Sequence, residues 1–82
     1  MSARHTDEEY LSRGLLTPPQ ITRIRENLGL TQADMARLLR IAHESLNRFE
    51  HGVLIQRPVI DQLLRVLQVP GVYERLRETQ EI

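Results

Sequence analysis

Residues 30–52, LTQADMARLLRIAHESLNRFEHG, hold two short amphipathic segments separated by a break around Arg40 to Ala42. Thr31, with Asp34 three residues on, is a helix start: the hydroxyl can accept a free backbone N–H, and the acid suits the positive end of the helix dipole. Met35, Ala36, Leu38 and Leu39 then form the apolar side of that helix. The following segment, His43 to Glu50, ends at His51-Gly52. Measured from His43 at about 100° per residue, Asn47 falls near 40°, Glu44 near 100° and Arg48 near 140°, whereas Phe49, Ala42 and Leu46 fall near 240–300°. One face packs and the opposite face is polar.

Two short helices joined by so tight a turn can cross closely only if the inner face of the first carries a small side chain, and Ala36 supplies it. Met35, Leu39, Ile41, Leu46 and Phe49 fill the angle between them, which is the geometry of a helix-turn-helix. The polar face carries the chemistry of base edges: Asn for adenine, Arg for guanine, Glu for the cytosine amino group, and His as donor or acceptor. The bland alternative is an ordinary solvated helix face.

Working outward, Thr17-Pro18-Pro19-Gln20 reads as an N-cap, a proline in the first turn and a capping-box partner. Ile21, Ile24 and Leu28 recur at helical spacing, and Gly29 supplies a left-handed stop. Pro58 opens a further helix with Val59, Ile60, Leu63, Leu64, Val66 and Leu67, stopped by Pro70-Gly71. Val72, Tyr73 and Leu76 continue a helical pattern to the end. The expectation is an all-α fold of five helices, a domain over residues 17–82 and an arm over residues 1–16. Asp7 to Leu11, capped by Thr6, can form a turn or two, but nothing in the sequence fixes its position.

Eighty-two residues support one small domain and no roomy catalytic cleft. The absence of cysteine excludes disulfides, a thiolate nucleophile and sulfur-ligated zinc. His5, His43 and His51 show no metal-ligand spacing, so neither metal nor cofactor is expected, nor is catalysis. No apolar run is long enough to span a bilayer or serve as a secretory signal, and a cytoplasmic location is expected. Eleven basic residues balance eleven acidic ones, but residues 21–57 hold six Arg against four acids, and no base is Lys. Guanidinium forks suit phosphate and guanine, although a plain compositional preference for Arg explains the same count.

From Gln20 to Leu67 the chain resembles the Cro/C1-type (XRE-like, lambda-repressor-like) helix-turn-helix family. The resemblance is carried by GLTQ at Gly29 to Gln32 together with the aromatic-Glu-x-Gly element at Phe49 to Gly52. The stretch GVLIQRPVIDQLLRVL from Gly52 is similar to the DNA-binding domains of MqsA-type antitoxins, which often carry a Cys-rich zinc domain that has no counterpart here. The family implies that His43, Glu44, Asn47 and Arg48 read bases, and that Gln32 touches the backbone or outermost base beside a Thr31 cap. It also implies that Arg25 and Glu50 form a structural ion pair. Arg25 lies next to the stripe of Ile21, Ile24 and Leu28, where an unpaired charge would be costly. Two positions depart from the pattern. Arg40 stands where the turn normally has glycine, at a cost of roughly 1–2 kcal/mol if φ is positive. Ala42 replaces the usual Ser or Thr cap of the recognition helix, at about 1 kcal/mol.

Arg40, Ser45 and Arg57 complete the expected DNA-backbone set, Arg57 lying at a helix start where free N–H groups favour anions; a solvated loop Arg is the alternative there. Leu54, Val69, Val72, Tyr73 and Leu76 offer more apolar surface than one small core needs and are read as a dimer interface, unless the arm covers them. The expected function is a homodimeric transcriptional repressor on double-stranded DNA, probing an inverted-repeat operator and regulating its own transcription. The alternative is an antitoxin of a toxin-antitoxin pair, whose Met1 to Leu16 arm also binds a toxin protein.

Overall fold

In the computed structural model, which describes residues 4–80, the chain forms six helices and no strand among the described residues. Helix α1 spans Asp7–Ser12, α2 Pro18–Asn27, α3 Gln32–Leu39, α4 His43–Glu50, α5 Pro58–Val66 and α6 Val72–Gln80. The expected five-helix count is corrected by one, because the arm itself contains α1. Thr6 and Glu9 close its first turn reciprocally: Glu9 N–H donates to Thr6 Oγ1 at 3.4 Å and Thr6 N–H to Glu9 Oε1 at 2.9 Å. Six residues cannot hold a helix by propensity alone. Tertiary anchors do so: Tyr10 is fully buried, and the His5 N–H donates to Gly52 O at 2.8 Å.

The other helix ends follow local chemistry. Gln20 Oε1 accepts the Thr17 N–H at 2.9 Å, and Thr31 Oγ1 accepts the Asp34 N–H at 3.1 Å. After α2, Gly29 takes φ 71°, the Gly29 N–H reaches Glu26 O and the Leu30 N–H reaches Arg25 O, which satisfies carbonyls the helix leaves free. Helix α5 stops at Val66, short of the Pro70 stop. Gln68 and Val69 close tight turns onto Arg65 O and Val66 O; Pro70 has no N–H to offer the Val66 carbonyl four residues back, and its ring would clash with it.

Helices α2, α3 and α4 enclose a core of Ile21, Ile24, Met35, Leu46 and Phe49, continued by Leu64 and Leu67. Ala36 is 2% exposed, and the angle between α3 and α4 is closed over it. Arg40 ends α3 at φ 60° and ψ 40°, the left-handed geometry that the sequence made costly for a residue with a Cβ. Arg40→Gly relieves about 1–2 kcal/mol of strain and adds about 0.5–1 kcal/mol of unfolded-chain entropy. A net gain of about 0.5–1 kcal/mol in chemical denaturation is expected, and an unchanged or lowered midpoint contradicts the strain argument.

A buried polar cluster fastens the end of the arm to α5. Asp61, 4% exposed, accepts hydrogen bonds from the Leu16 N–H at 2.8 Å, Gln56 Nε2 at 3.0 Å and Arg65 Nε at 2.8 Å. Gln56 Nε2 also donates to Leu16 O at 2.9 Å, and Arg65 Nη2 donates to Gly14 O at 2.9 Å. Burial alone would raise the Asp61 pKa, but the hydrogen bonds from Arg65, Leu16 and Gln56 and the Arg65 charge hold it below the ordinary carboxylate value. Asp61→Ala strands the buried Leu16 N–H and one Gln56 donor, so a loss of about 2 kcal/mol is expected. Hydrogen exchange should show the amides of Leu15 and Leu16 opening first; unaltered protection there refutes the anchoring role.

Candidate nucleic-acid interface

Helix α4 turns Leu46 and Phe49 into the core and leaves His43, Glu44, Asn47 and Arg48 exposed, so the side chains expected to read bases share one open face. Glu44 and Arg48, one helical turn apart, form an ion pair with each other. Both are more than half exposed, so the pair adds little stability. Its consequence is electrostatic: the free chain partly neutralises the Arg that would meet DNA. His51 Nδ1 lies 2.7 Å from Asn47 O, which fixes its ring at the end of α4.

Below this face Glu50, whose side chain is 4% exposed, ties three helices together. Arg25 donates to it through Nε at 2.8 Å and Nη2 at 3.1 Å, Thr22 Oγ1 at 3.2 Å and Gln32 Nε2 at 3.1 Å. Arg25 Nη1 also donates to Leu30 O at 3.0 Å, bracing the connection between α2 and α3. Burial pushes the Glu50 pKa up, but hydrogen bonds from Arg25, Gln32 and Thr22, with the Arg25 charge, outweigh it and bring the value below normal. Gln32 connects this frame to the recognition face: its Nε2 is 3.4 Å from Asn47 Oδ1 and its Oε1 is 3.4 Å from His43 Nε2. The first residue of α3 therefore orients two exposed residues of α4 as well as standing beside them.

Three expected backbone contacts converge. Arg40, Ser45 and Arg57 line one hollow of about 510 Å³ between the turn, α4 and the start of α5. Ala42 and Arg57, the residues preceding α4 and α5, provide no side-chain cap, so the first N–H groups of both helices lack that partner. Thr31 stands apart, exposed at the start of α3.

The expected dimer residues divide. Leu54 and Val69 are exposed, at 41% and 52%, whereas Val72, Tyr73 and Leu76 are half-buried against the protein's own core. Tyr73 also lies under the Arg77 guanidinium, 5.4 Å from its ring centre. No hydrogen bond joins the arm to α6 among the described residues; the arm bonds to Gly52, Gln56, Asp61 and Arg65 instead. Val59 and Val66, among the apolar residues of α5, are also exposed. Sequence reading missed Tyr10, Gln56 and Asp61. The spacing of Asp61 and Arg65 by one helical turn was the available signal; nothing local marks Tyr10 or Gln56 as buried.

No group of three or more His, Cys, Asp or Glu that could hold a metal occurs among the described residues, and no described helix is long and apolar enough to cross a membrane. Residues 20–78 match the family model described as a helix-turn-helix domain. That match covers more than half of the chain, which therefore belongs to the helix-turn-helix domain family, and its motif is that of a DNA-binding regulator. No curated protein and no solved structure matches the chain.

Proposed function

We propose that the chain is a sequence-specific transcriptional repressor of the Cro/C1 type that acts as a homodimer on an inverted repeat and controls its own transcription. One observation carries this reading: His43, Glu44, Asn47 and Arg48 lie exposed on one face of α4, while its opposite face is locked into the core. In a dimer, two such faces would enter successive major grooves about one helical turn, ~34 Å, apart. Arg40, Ser45 and Arg57, with the N–H groups of two helix starts, would hold one phosphate region, and Thr31 with Gln32 another. The exposed Leu54 and Val69, with Val72, Tyr73 and Leu76, would form the contact between copies. Such a protein works in the compartment that holds the DNA, which is the cytoplasm in a bacterial or phage setting, and requires no cofactor or catalytic step.

Selection of bound fragments from genomic DNA tests the proposal. An enriched site with two-fold symmetry is expected, with affinity falling steeply as salt rises because several phosphates are neutralised. The absence of any enriched sequence, or binding without salt dependence, overturns it. The antitoxin reading is a second proposal, supported by GVLIQRPVIDQLLRVL from Gly52 and by an arm longer than the recognition motif needs. Replacing the exposed Leu11 of the arm, with the buried Tyr10 and Leu16 left in place, should then weaken capture of a toxin while operator binding survives.

A further inference from the structure

The hollow that gathers Arg40, Ser45 and Arg57 has more than a phosphate needs. Much of its wall is apolar: Leu39 and Phe49 are buried beneath it, and Ile41, Ile55 and Ile60 are half-buried around it. Leu54 and Val59, 41% and 69% exposed, continue the apolar surface at its edge. At about 510 Å³ it falls in the range of small-molecule sites, which run from roughly 300 to 1,000 Å³. Arg40 and Arg57 both line the hollow, both are exposed, and neither side chain makes a hydrogen bond or ion pair among the described residues, so two cationic residues border this space without an anion of their own; Arg40 also borders a neighbouring hollow with Arg37, Arg77 and Gln80. A phosphodiester would use the charged part and leave the apolar walls wet. A neutral apolar molecule would use the walls and leave both cations unmatched.

We propose that this hollow binds a monocarboxylate with an aryl or branched-alkyl body, and that its occupation competes with DNA. The carboxylate takes the guanidinium forks, whose planar pairs of N–H groups match its two oxygens, and the body lies against Ile41, Ile55 and Ile60. The competition rests on the reading of Arg40 and Arg57 as phosphate contacts: each guanidinium engaged by the ligand is withdrawn from the DNA backbone. The hollow also touches Ala42 and Ser45 at the beginning of α4, so the ligand occupies the side of the recognition helix where the chain enters it. The ligand would thus relieve repression without any rearrangement of the fold.

The test uses the full chain, with phenylacetate as probe and phenylacetamide and acetate as controls. Backbone amide shifts under phenylacetate should centre on Ile41, Ala42, Ser45 and residues 54–60, with much smaller shifts under either control. Arg57→Gln should weaken phenylacetate binding at least tenfold, with its melting transition recorded to confirm folding. Phenylacetate at about ten times its own Kd should raise the operator Kd about tenfold, as competition requires. No localised shift at the solubility limit overturns the site. Equal shifts from acetate show an anion cradle only, and equal shifts from phenylacetamide a greasy surface only; either result overturns the proposed ligand class. Saturation with phenylacetate at unchanged operator affinity overturns the competition. A chain that binds phenylacetate in the hollow but no DNA sinks the repressor reading and leaves the ligand site standing, so the two failures are distinguishable.

Discussion

Arg25→Ala lowers the unfolding free energy by about 3 kcal/mol, because removing one partner of a buried pair leaves the other charge poorly compensated. Glu50 would keep the Thr22 and Gln32 donors but lose two guanidinium hydrogen bonds and their positive charge. The pH dependence identifies the cause. Glu50 has its pKa depressed in the fold, so its contribution is complete above the ordinary value of 4.5 and disappears as the pH falls below that value through the folded one. The gap between the wild type and Arg25→Ala should therefore be widest near neutral pH and shrink in acid. Chemical denaturation at about pH 7 and about pH 3 measures it. A gap below about 1 kcal/mol at neutral pH, or one of equal size at both, contradicts the assignment of Glu50 as the buried charge that Arg25 serves.

The same substitution reaches the recognition face through Gln32. Glu50 accepts from Gln32, and Gln32 in turn lies within hydrogen-bond distance of His43 and Asn47. Loosening Glu50 lets these side chains adopt more rotamers, an entropy that DNA binding must then remove. The ion pair is thus a stability element whose placement also sets the geometry of the exposed site.

Arg48→Ala should cost about 1–3 kcal/mol on the selected operator, roughly five- to 150-fold, and much less on random duplex. The free chain gives this prediction a particular form. Arg48 is paired with Glu44, so its net charge is already muted before DNA arrives, and its contribution is directional more than electrostatic. A base edge that accepts two hydrogen bonds exploits that direction. Glu44→Ala removes the partner and a repelling acid, so random-DNA affinity should rise severalfold while discrimination at one base falls. Titration of operator and random duplex with both variants at one fixed salt concentration checks the pair. Equal losses on both duplexes for Arg48→Ala would falsify its base-reading role.

Much of the interface was legible before any coordinates, because its determinants are local. The angular separation of Asn47 and Arg48 from Leu46 and Phe49 follows from helical pitch, and the starts at Thr31 and Pro58 follow from side-chain chemistry within three residues. Arg40 stood out only against the family pattern, as a residue in a glycine position, and whether the turn differed or Arg40 took a positive φ was decided by the structure. The sixth helix was legible only as a turn or two from Asp7 to Leu11 with its Thr6 cap, since a segment that short is not stable unless Tyr10 finds a pocket elsewhere in the chain. Val59 and Val66 remain exposed because a helix as apolar as α5 has more apolar residues than inward positions, and periodicity cannot tell which of them stay outside.

By itself the sequence determined an all-helical chain, the break between α3 and α4 and the polar flank of α4, because caps, helical pitch and side-chain size act over a few residues. Tertiary structure alone decided that Gln56 and Asp61 anchor the arm, 40 and 45 residues from their Leu16 partner, and that Gln32 links Glu50 to the exposed face. It also decided that Arg40, Ser45 and Arg57 surround one hollow with an apolar floor. The physical reason is common to all three: a buried hydrogen bond or a cavity depends on which distant segments share the same dry space, and that is fixed only when the whole chain packs.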